Sequence, residues 1–212
     1  DKLNIDWTKK KDVAVFRGSS TGCGSTPETN QRLGIAVLMK KLIENNDIDT
    51  ETNKHVGKHN ETDMFDVGLT GINTRDKKYS GENVKFIDPT KYTTVKKLTY
   101  EEQSGYKYII HIDGHVSAFR LGKELSMGSC ILKVDSLYDY KLWFSDKMIA
   151  HDYKLDNSDK AHYIRVDKDM SNLVEKVMWC KNNDSVCQQI AQNALKLHNE
   201  IFTEEYMTKY CA

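Results

Sequence analysis

Two segments of this chain place an arginine among glycine and hydroxylated residues, a combination suited to holding an anionic group. In the first segment, FRGSSTGCGST, Arg17 is followed by glycines, serines and threonines. In the second, HIDGHVSAFRLGKEL, Arg120 follows Gly114 and Ser117. Small residues let the backbone approach a ligand closely, and a guanidinium binds phosphate or carboxylate through two parallel hydrogen bonds. Both segments are therefore candidate anion sites.

The scarcity of arginine adds weight to these two segments. Of the 31 basic residues, 26 are lysine and five are arginine, a bias typical of an AT-rich genome. Because lysine serves wherever a generic surface charge is enough, we expect the remaining arginines where a planar fork is needed. The five are Arg17, Arg32, Arg75, Arg120 and Arg165.

The composition argues against several classes of partner. Positive and negative side chains balance at 31 each, without the excess of positive charge typical of proteins that bind nucleic acids or acidic membranes. No apolar run reaches the roughly 18 to 20 residues that span a bilayer, and the N-terminal sequence DKLNIDWTKKK has no signal-peptide core. We expect a cytoplasmic protein, although the first residue, Asp1, leaves room for a preceding segment that carries targeting information.

The sequence offers no convincing metal site. Asp47-Ile48-Asp49 imitates a metal-binding DxD motif but follows a predicted helix in a polar stretch, which favours a solvated turn. His55 with His59, and His111 with His115, have helical ligand spacing but lie outside predicted helices. The five cysteines form no CxxC pair and no zinc-type spacing, so we expect free thiols at Cys23, Cys130, Cys180, Cys187 and Cys211.

The apolar pattern predicts alternating strands and helices. The clearest strand, YKYIIHI at Tyr106–Ile112, is followed by a helix at Ser117–Met127. Such alternation is typical of α/β proteins with a mostly parallel sheet and helices on both faces. We predict one Rossmann-like domain over residues 1–212, with C-terminal helices over 170–210. Further strands are predicted at Asp12–Phe16, Met64–Leu69, Val84–Ile87, Ser129–Val134 and His162–Val166, and further helices at Glu28–Glu44, after Tyr100, at Leu137–Asp146 and from Met170 onward.

In such folds, ligands bind beyond the carboxyl ends of the strands, where helix N-termini present free amides. With Ser117 as the N-cap, an anion would be surrounded by Val116, Ser117, Ala118, Phe119 and Arg120. The alternative is that Arg120 forms a surface ion pair with Glu124, worth a few tenths of a kcal/mol. The FRGSSTG loop is neither a P-loop nor a GxGxxG motif, and by itself it fits a flexible polar loop better than a ligand site. The residues alone leave these alternatives open.

Four ordered motifs nevertheless resemble glycosyltransferase family 90, the family of fungal capsule-associated proteins and animal protein O-glucosyltransferases. They are FRGSSTG, FDVGLT, YKYIIHIDGHVSAFRLGKELSMGSCILKVDS and HYIRVDKDMSNLVEKVMWCKNNDSVCQQIAQNA. The resemblance extends from about Trp7 to about Leu197. It implies a GT-B enzyme, in which two Rossmann-like domains face each other, and it makes this chain the C-terminal half, which holds a nucleotide sugar without a metal or other cofactor.

The resemblance also implies roles for particular residues. Arg17, Ser19 and Thr21 belong to the family's RGS-type loop near the donor diphosphate. Gly114 and the run 116–120 match the loop and helix start that bind the diphosphate through backbone amides, Ser117 and Arg120. Glu124 occupies the position at which many GT-B enzymes hold the ribose hydroxyls, a feature that the protein O-glucosyltransferases do not require.

The implied activity is glycosyl transfer with inversion, from a UDP-glucose or UDP-xylose type of donor to a hydroxyl of a protein or glycan acceptor. The sequence departs from the family at two points. Only about a dozen residues precede the FRG loop, so the aspartate base of the animal enzymes would lie in an upstream acceptor domain, and the catalytic residues stay unassigned. His115 stands where the family often has a small residue. Other readings are a non-catalytic module that binds a nucleotide sugar or glycan, and a nucleotide-binding regulator.

Overall fold

A single parallel sheet organises the chain. The computed structural model describes residues 3–46, 61–74, 86–139 and 141–211. Within them, five strands lie in the order β2-β1-β3-β4-β5, and every neighbouring pair is parallel. The strands are β1 (Lys11–Ser19), β2 (Phe65–Gly71), β3 (Tyr106–His111), β4 (Cys130–Val134) and β5 (Ile164–Val166).

Helices cover both faces of this sheet, as the Rossmann-like prediction requires. Alternate strand residues such as Phe16 and Ile110 pack in one cluster with Leu33 of α1 and Leu173 of α4. On the opposite face, Ile131 packs with the apolar side of α3 and the end of α5. The helices are α1 (Gln31–Asn46), α2 (Tyr100–Ser104), α3 (Arg120–Leu125), α4 (Leu173–Asn182), α5 (Asp184–Ile201) and α6 (Glu204–Cys211).

Strand order fixes where a ligand would bind. From β1 the chain passes outward to β2 at one edge, whereas from β3 it passes to β4 and β5 on the other side. The connections therefore diverge at β1 and β3 and leave a crevice beyond the carboxyl ends of these two strands, the usual ligand position in this strand order. The FRGSSTG and DGHVSAFR segments follow β1 and β3, so both open into that crevice.

Some predicted elements are wrong or shifted. In the described part of Leu137–Asp146 no α-helix forms, and a single 3-10 turn occupies Ser145–Lys147. Here Trp143 and Phe144 pack as neighbouring loop residues against Phe202, with ring centroids 5.2 Å apart in each case. The described half of the predicted strand Val84–Ile87 is irregular. The segments with the DxD motif, with His55 and His59, and with Arg75 lie outside the described residues.

Other expectations concern thiols, metals and membranes. Cys130, Cys180 and Cys187 are free and fully buried, as is typical of thiols that pack as small apolar groups. Across the described ranges, no group of three or more histidine, cysteine or acidic residues is arranged to hold a metal ion. Among the helices of the described segments, none combines the length and apolar character needed to cross a membrane.

One buried cation, Lys10, lies at the amino end of the sheet. Its Nζ donates to the carbonyls of Ser104 and Met127, at 2.5 and 2.9 Å, and to Ser129 Oγ at 3.1 Å. Only 5% of its surface is exposed. Burial lowers the pKa of Lys10 to about 8, from an ordinary 10.5. The lysine joins the end of α2 to the loop between α3 and β4 and carries a charge there at neutral pH.

The depressed pKa of Lys10 predicts a pH dependence of stability. Between pH 8 and 10.5 the unfolded chain binds this proton and the folded chain does not, so the free energy of unfolding rises with pH in that window. Between pH 8 and 10.5, the free energy of unfolding of the wild type should rise by at most about 3 kcal/mol relative to that of Lys10→Met. Urea unfolding at pH 7.5 and 10.5 measures this difference. Lys9→Met, a substitution at the exposed neighbouring position, is the control. If the free energy of unfolding changed equally with pH in Lys10→Met and in Lys9→Met, the prediction would be contradicted.

Candidate active site at the crevice between β1 and β3

The loop after β1 is shaped around one asparagine, Asn30. Its Oδ1 accepts hydrogen bonds from the amides of Arg32 and Leu33, and its Nδ2 donates to the carbonyls of Ser20 and Gly24. The asparagine therefore satisfies the amides at the first turn of α1 and also folds the loop back onto that helix. Helix α1 consequently begins three residues later than the predicted Glu28.

From the first turn of α1, Arg32 reaches across the crevice. Its Nη1 donates to the carbonyl of Ser19 at 3.1 Å and to Thr21 Oγ1 at 2.6 Å. Its Nε and Nη2 donate to the carbonyls of Asp113 and Ile112, at 2.9 and 3.0 Å. One guanidinium thus binds both the loop after β1 and the loop after β3. Burial lowers the pKa of Arg32 to about 10, with a further contribution from nearby Arg120, so it stays charged at neutral pH.

A second guanidinium, that of Arg120, lies beside the first. Its Nη1 donates to the carbonyl of Arg17 at 2.5 Å, and its carbon centre lies 5.9 Å from the centroid of the Phe16 ring. The guanidinium of Arg32 lies 6.0 Å from the same ring. Two cations therefore share one aromatic surface at the carboxyl end of β1, an arrangement that favours an added anion.

Gly18 makes this close approach of two guanidiniums feasible. A Cβ atom at Gly18 would lie 2.9 Å from Phe16 Cζ, 3.2 Å from Arg120 Nη2 and 3.4 Å from Arg32 Nη1. Gly114, on the facing loop, is similarly close to Thr21 Oγ1, at 3.0 Å from a Cβ in that position. The glycines of both motifs thus leave space for the arginine side chains.

Below the arginines, His111 lies between two carboxylates. Its Nδ1 is 2.5 Å from Glu124 Oε2, and its Nε2 is 3.6 Å from Asp113 Oδ1. All three residues are buried. Burial by itself lowers the pKa of His111, but the charges and hydrogen bonds of Glu124 and Asp113 outweigh it and raise the pKa.

Protonation of His111 decides whether the crevice carries a positive surplus. When His111 is protonated, the cations of His111, Arg32 and Arg120 outnumber the carboxylates of Asp113 and Glu124. Buried charges of one sign that lack a full complement of the other attract a counterion. A phosphate or diphosphate supplies the missing negative charge.

The structure answers the question about Arg120 and Glu124. Arg120 Nε lies 4.0 Å from Glu124 Oε1, but the carboxylate is buried and its close partner is His111. The ion pair considered above therefore forms, at the limiting distance of 4.0 Å, but it is not a surface pair, because Glu124 is buried. The expected ribose contact of Glu124 stays a prediction; in this structure its carboxylate is buried and bonded to His111.

Arg17 lines the open pocket beside Arg120, and its expected contact with the diphosphate stays a prediction, although its guanidinium has other partners in this structure. Its guanidinium forms an ion pair with Asp66 of β2 and donates to the carbonyls of Phe16, Lys96 and Asp66. The strand alternation that directs Phe16 toward the crevice arginines directs Arg17 to the opposite face. Arg17 contributes its backbone carbonyl to the site, as the acceptor for Arg120.

The expected helix start after β3 is wrong as well. Ser117 does not cap the helix, because α3 begins at Arg120 and has only six residues. The Asp113 carboxylate accepts the amide of Ala118 at 2.9 Å, so an amide that was expected to face an anion is already bound. An aspartate at the end of β3 therefore folds residues 114–118 into a turn rather than a helix.

The remaining predicted residues border the crevice. Ser19 and Thr21 lie on the β1 loop and are held by Arg32, through the carbonyl of Ser19 and the hydroxyl of Thr21. Val116 and Phe119 are 52% and 86% exposed, which leaves two apolar side chains at the rim. Beside Arg120, an open pocket of about 450 Å³ continues over the ends of β1 and β2. Its lining includes Ser19, Thr70, Lys97, Tyr100, Gln103 and Arg120.

A larger groove, of about 770 Å³, runs along α1 and residues 86–92 and contains none of the predicted site residues. We therefore place the site at the crevice. Sequence reasoning missed Arg32, His111 and Asp113 as parts of it. The scarcity of arginine was a signal for Arg32, whereas a histidine and an aspartate at the end of a buried strand gave none.

Replacing His111 tests whether it is a buried cation. A histidine with a raised pKa stabilises the fold fully below its unfolded value of 6.5 and loses this contribution as pH rises through the folded pKa. His111→Gln should therefore cost about 3 kcal/mol near pH 6, and the cost should shrink at higher pH. Urea unfolding of the wild type and of His111→Gln from pH 6 to 9 measures this difference in stability.

His162 provides the matched control. Burial lowers the pKa of His162, so the stability of wild type relative to His162→Gln should rise with pH up to about 6.5 and stay constant above it, whereas the stability contributed by His111 falls. A cost of His111→Gln that is independent of pH would mean that His111 is neutral in the folded protein.

Comparison with known proteins places this geometry in a family. A model of the family described as Glycosyl transferase family 90 matches residues 1–212. Uncharacterized protein 179R of Invertebrate iridescent virus 6 is 38% identical over 218 residues, which cover 99% of this chain and 17% of the viral protein. Protein O-glucosyltransferase 3 of Homo sapiens is 30% identical over 205 residues, which cover 97% of this chain and 31% of the human protein.

Among solved structures, the crystal structure of TarM matches the whole chain with a TM-score of 0.54 at 11% identity and is itself covered to 36%. At that identity the likeness concerns the fold alone. The chain spans less than half the length of each of these relatives. The match of the family model along the entire sequence and the relatives with 30% identity or more lead to one conclusion: the chain belongs to glycosyl transferase family 90.

Proposed function

We propose that this chain binds the diphosphate of a nucleotide sugar in the crevice between β1 and β3, as the donor-binding half of a glycosyltransferase. The observation that carries the proposal is the pair of guanidiniums, Arg32 and Arg120, held over Phe16 at the point where a Rossmann-like sheet binds its ligands. Membership of a glycosyltransferase family supports the reaction class. The diphosphate provides the negative charge that the crevice attracts.

In this proposal the chain acts mainly by stabilising a leaving group. As the sugar–phosphate bond breaks, negative charge develops on the diphosphate, and Arg120, with Arg32 behind it, stabilises that charge as a divalent metal does elsewhere. The reaction then needs neither metal nor cofactor. The hydroxyl of Ser117, the backbone around Gly114 and the loop residues Ser19 and Thr21 complete the surroundings of the diphosphate.

The proposed donor is a UDP-sugar of the UDP-glucose or UDP-xylose type. The pocket of about 450 Å³ beside Arg120 offers room for the sugar, with Tyr100 as an aromatic wall and Gln103 among the polar groups. The proposed acceptor is a hydroxyl of a protein or glycan, attacked with inversion. Its base would be a carboxylate of a facing acceptor domain, in which case this chain is the C-terminal half of a GT-B enzyme.

A second candidate is a non-catalytic module that binds a nucleotide sugar. The fact that favours it is that both carboxylates of the crevice are engaged, Glu124 with His111 and Asp113 with the Ala118 amide. Turnover separates the two candidates. Hydrolysis or transfer of a UDP-sugar supports the enzyme, whereas binding without turnover in a chain extended to the length of its relatives supports the module.

A thermal-shift screen tests the ligand class. Because a ligand selective for the native state raises Tm, UDP and UDP-sugars should raise the Tm of this chain more than GDP, ADP or NAD do. The shift should be the same in excess EDTA as in Mg²⁺. A larger shift with ADP or NAD would replace this proposal with a nucleotide-binding regulator, and dependence on Mg²⁺ would contradict metal-independent binding.

Substitution of Arg120 gives the sharpest prediction for the site. Arg120→Ala removes a charge-assisted contact and should weaken UDP binding by about 1.5 to 3 kcal/mol, roughly ten- to a hundredfold. Arg120→Lys keeps the charge without the planar fork and should have an intermediate affinity. Isothermal titration with UDP measures all three proteins.

Arg165→Ala is the matched control. Arg165 lies on β5 and forms a largely exposed ion pair with Asp135 at 2.6 Å, away from the crevice. Its removal should change stability by a few tenths of a kcal/mol and leave the Kd for UDP unchanged. Equal Kd values for wild type and Arg120→Ala would place the diphosphate elsewhere.

A further inference from the structure

We propose that Arg32 is the positioning residue of this site, a latch that fixes the two crevice loops and, through them, the guanidinium of Arg120. The part that concerns the nucleotide rests on the proposed function. The latch itself rests on the geometry alone.

The first step is the set of atoms that Arg32 joins. Its four hydrogen bonds divide equally between the β1 loop, at Ser19 and Thr21, and the β3 loop, at Ile112 and Asp113. These two loops carry the residues expected around the diphosphate. Two other side chains make one bond each between these segments: Cys23 Sγ donates to the carbonyl of His115 at 3.4 Å, and Arg120 donates to the carbonyl of Arg17. With four bonds, the guanidinium of Arg32 makes the largest contribution to the separation of the loops.

The second step connects the latch to Arg120. The Arg120 guanidinium is anchored on the carbonyl of Arg17 and packs on Phe16, next to Gly18. Arg32 packs on the same ring and bonds the carbonyl of Ser19, two residues after that anchor. A displacement of this strand end would therefore move the acceptor that orients Arg120.

The third step is energetic. Arg32 is 5% exposed, and no carboxylate of the described residues lies within 4.0 Å of its nitrogen atoms. Burying a cation among carbonyls, without an adjacent counterion, is costly to the folded state. The more distant carboxylates of Asp113 and Glu124 compensate this charge only in part. The remaining positive charge lies next to the proposed diphosphate and would strengthen its binding. The cost is consistent with selection for ligand binding rather than for stability.

A neighbouring residue makes the test specific. Gln31, one position earlier on α1, is also buried and donates to the carbonyls of Asp135 and Lys168, at 2.7 and 2.8 Å. These carbonyls follow β4 and β5, outside the crevice. Gln31 thus ties loops in the same manner as Arg32, but on the other half of the sheet edge.

The experiment compares Arg32→Lys with Gln31→Ala. Lysine keeps the charge but cannot bond both loops as a planar fork does. We expect Arg32→Lys to weaken UDP binding about tenfold, because small displacements of binding groups have large effects. Gln31→Ala should lower Tm and leave the Kd for UDP within about twofold of the wild type. The affinities of the wild type and both variants are measured at a temperature well below the lowest of their Tm values.

Hydrogen exchange gives a readout that needs no ligand. Arg32→Lys should speed exchange of the amides at 18–22 and 112–118, whereas Gln31→Ala should speed exchange near Asp135 and Lys168. If the wild type does not bind UDP, the proposed function fails, and the exchange pattern still decides whether Arg32 is the latch. Exchange in Arg32→Lys that matches the wild type in both crevice loops would overturn the latch.

A double-mutant cycle tests the contact between Arg32 and Thr21. Thr21→Val removes the hydroxyl that Arg32 holds at 2.6 Å. If this hydroxyl acts through Arg32, Thr21→Val should weaken UDP binding by less in the Arg32→Lys background than in the wild type. If the losses of binding free energy for UDP were fully additive, Thr21 would contact the nucleotide independently, and this part of the proposal would be overturned.

Equal losses of UDP affinity in Arg32→Lys and Gln31→Ala would mean that Arg32 only stabilises the fold in general.

Discussion

The candidate site of this protein depends on one buried guanidinium. Arg32 bonds the loops that follow β1 and β3 through four hydrogen bonds and so sets most of the spacing between these two glycine-containing loops. Asn30, two residues earlier, supports Arg32 by fixing the start of α1. The packing of Phe16 and the position of Arg120 depend on that spacing.

Charge explains why this arrangement suits an anion. Arg17 is neutralised by Asp66 on the opposite face of the sheet, and Arg165 is paired with Asp135. In the crevice, by contrast, two guanidiniums and an imidazole with a raised pKa face two carboxylates. The chain as a whole has no net charge. The local surplus is therefore a product of folding, and it arises where the strand order already favours a ligand.

The sequence predicted the architecture better than it predicted the site. Apolar periodicity correctly located the strands that became β1 to β5 and the C-terminal helices, because burial on both faces of a parallel sheet demands continuous apolar runs. It was wrong at Leu137–Asp146, where large aromatic residues pack from a loop, and it extended α3 by three residues at its start. Both errors occur where side-chain contacts, rather than periodicity, determine the local backbone.

The sequence by itself determined the fold class, the family and the two loops that border the crevice, since these follow from local patterns and ordered motifs. Only the tertiary structure decided what each arginine does. Arg17 and Arg120 look alike in their motifs, but strand alternation turns one toward Asp66 while a bend at Asp113 brings the other over Phe16. Arg32 is 81 residues away from Asp113 in the sequence, and it meets Asp113 and nearby His111 only when β1 and β3 pair. A buried network of this kind leaves no periodic signal, because its members are related by packing across the sheet edge and not by their spacing along the chain.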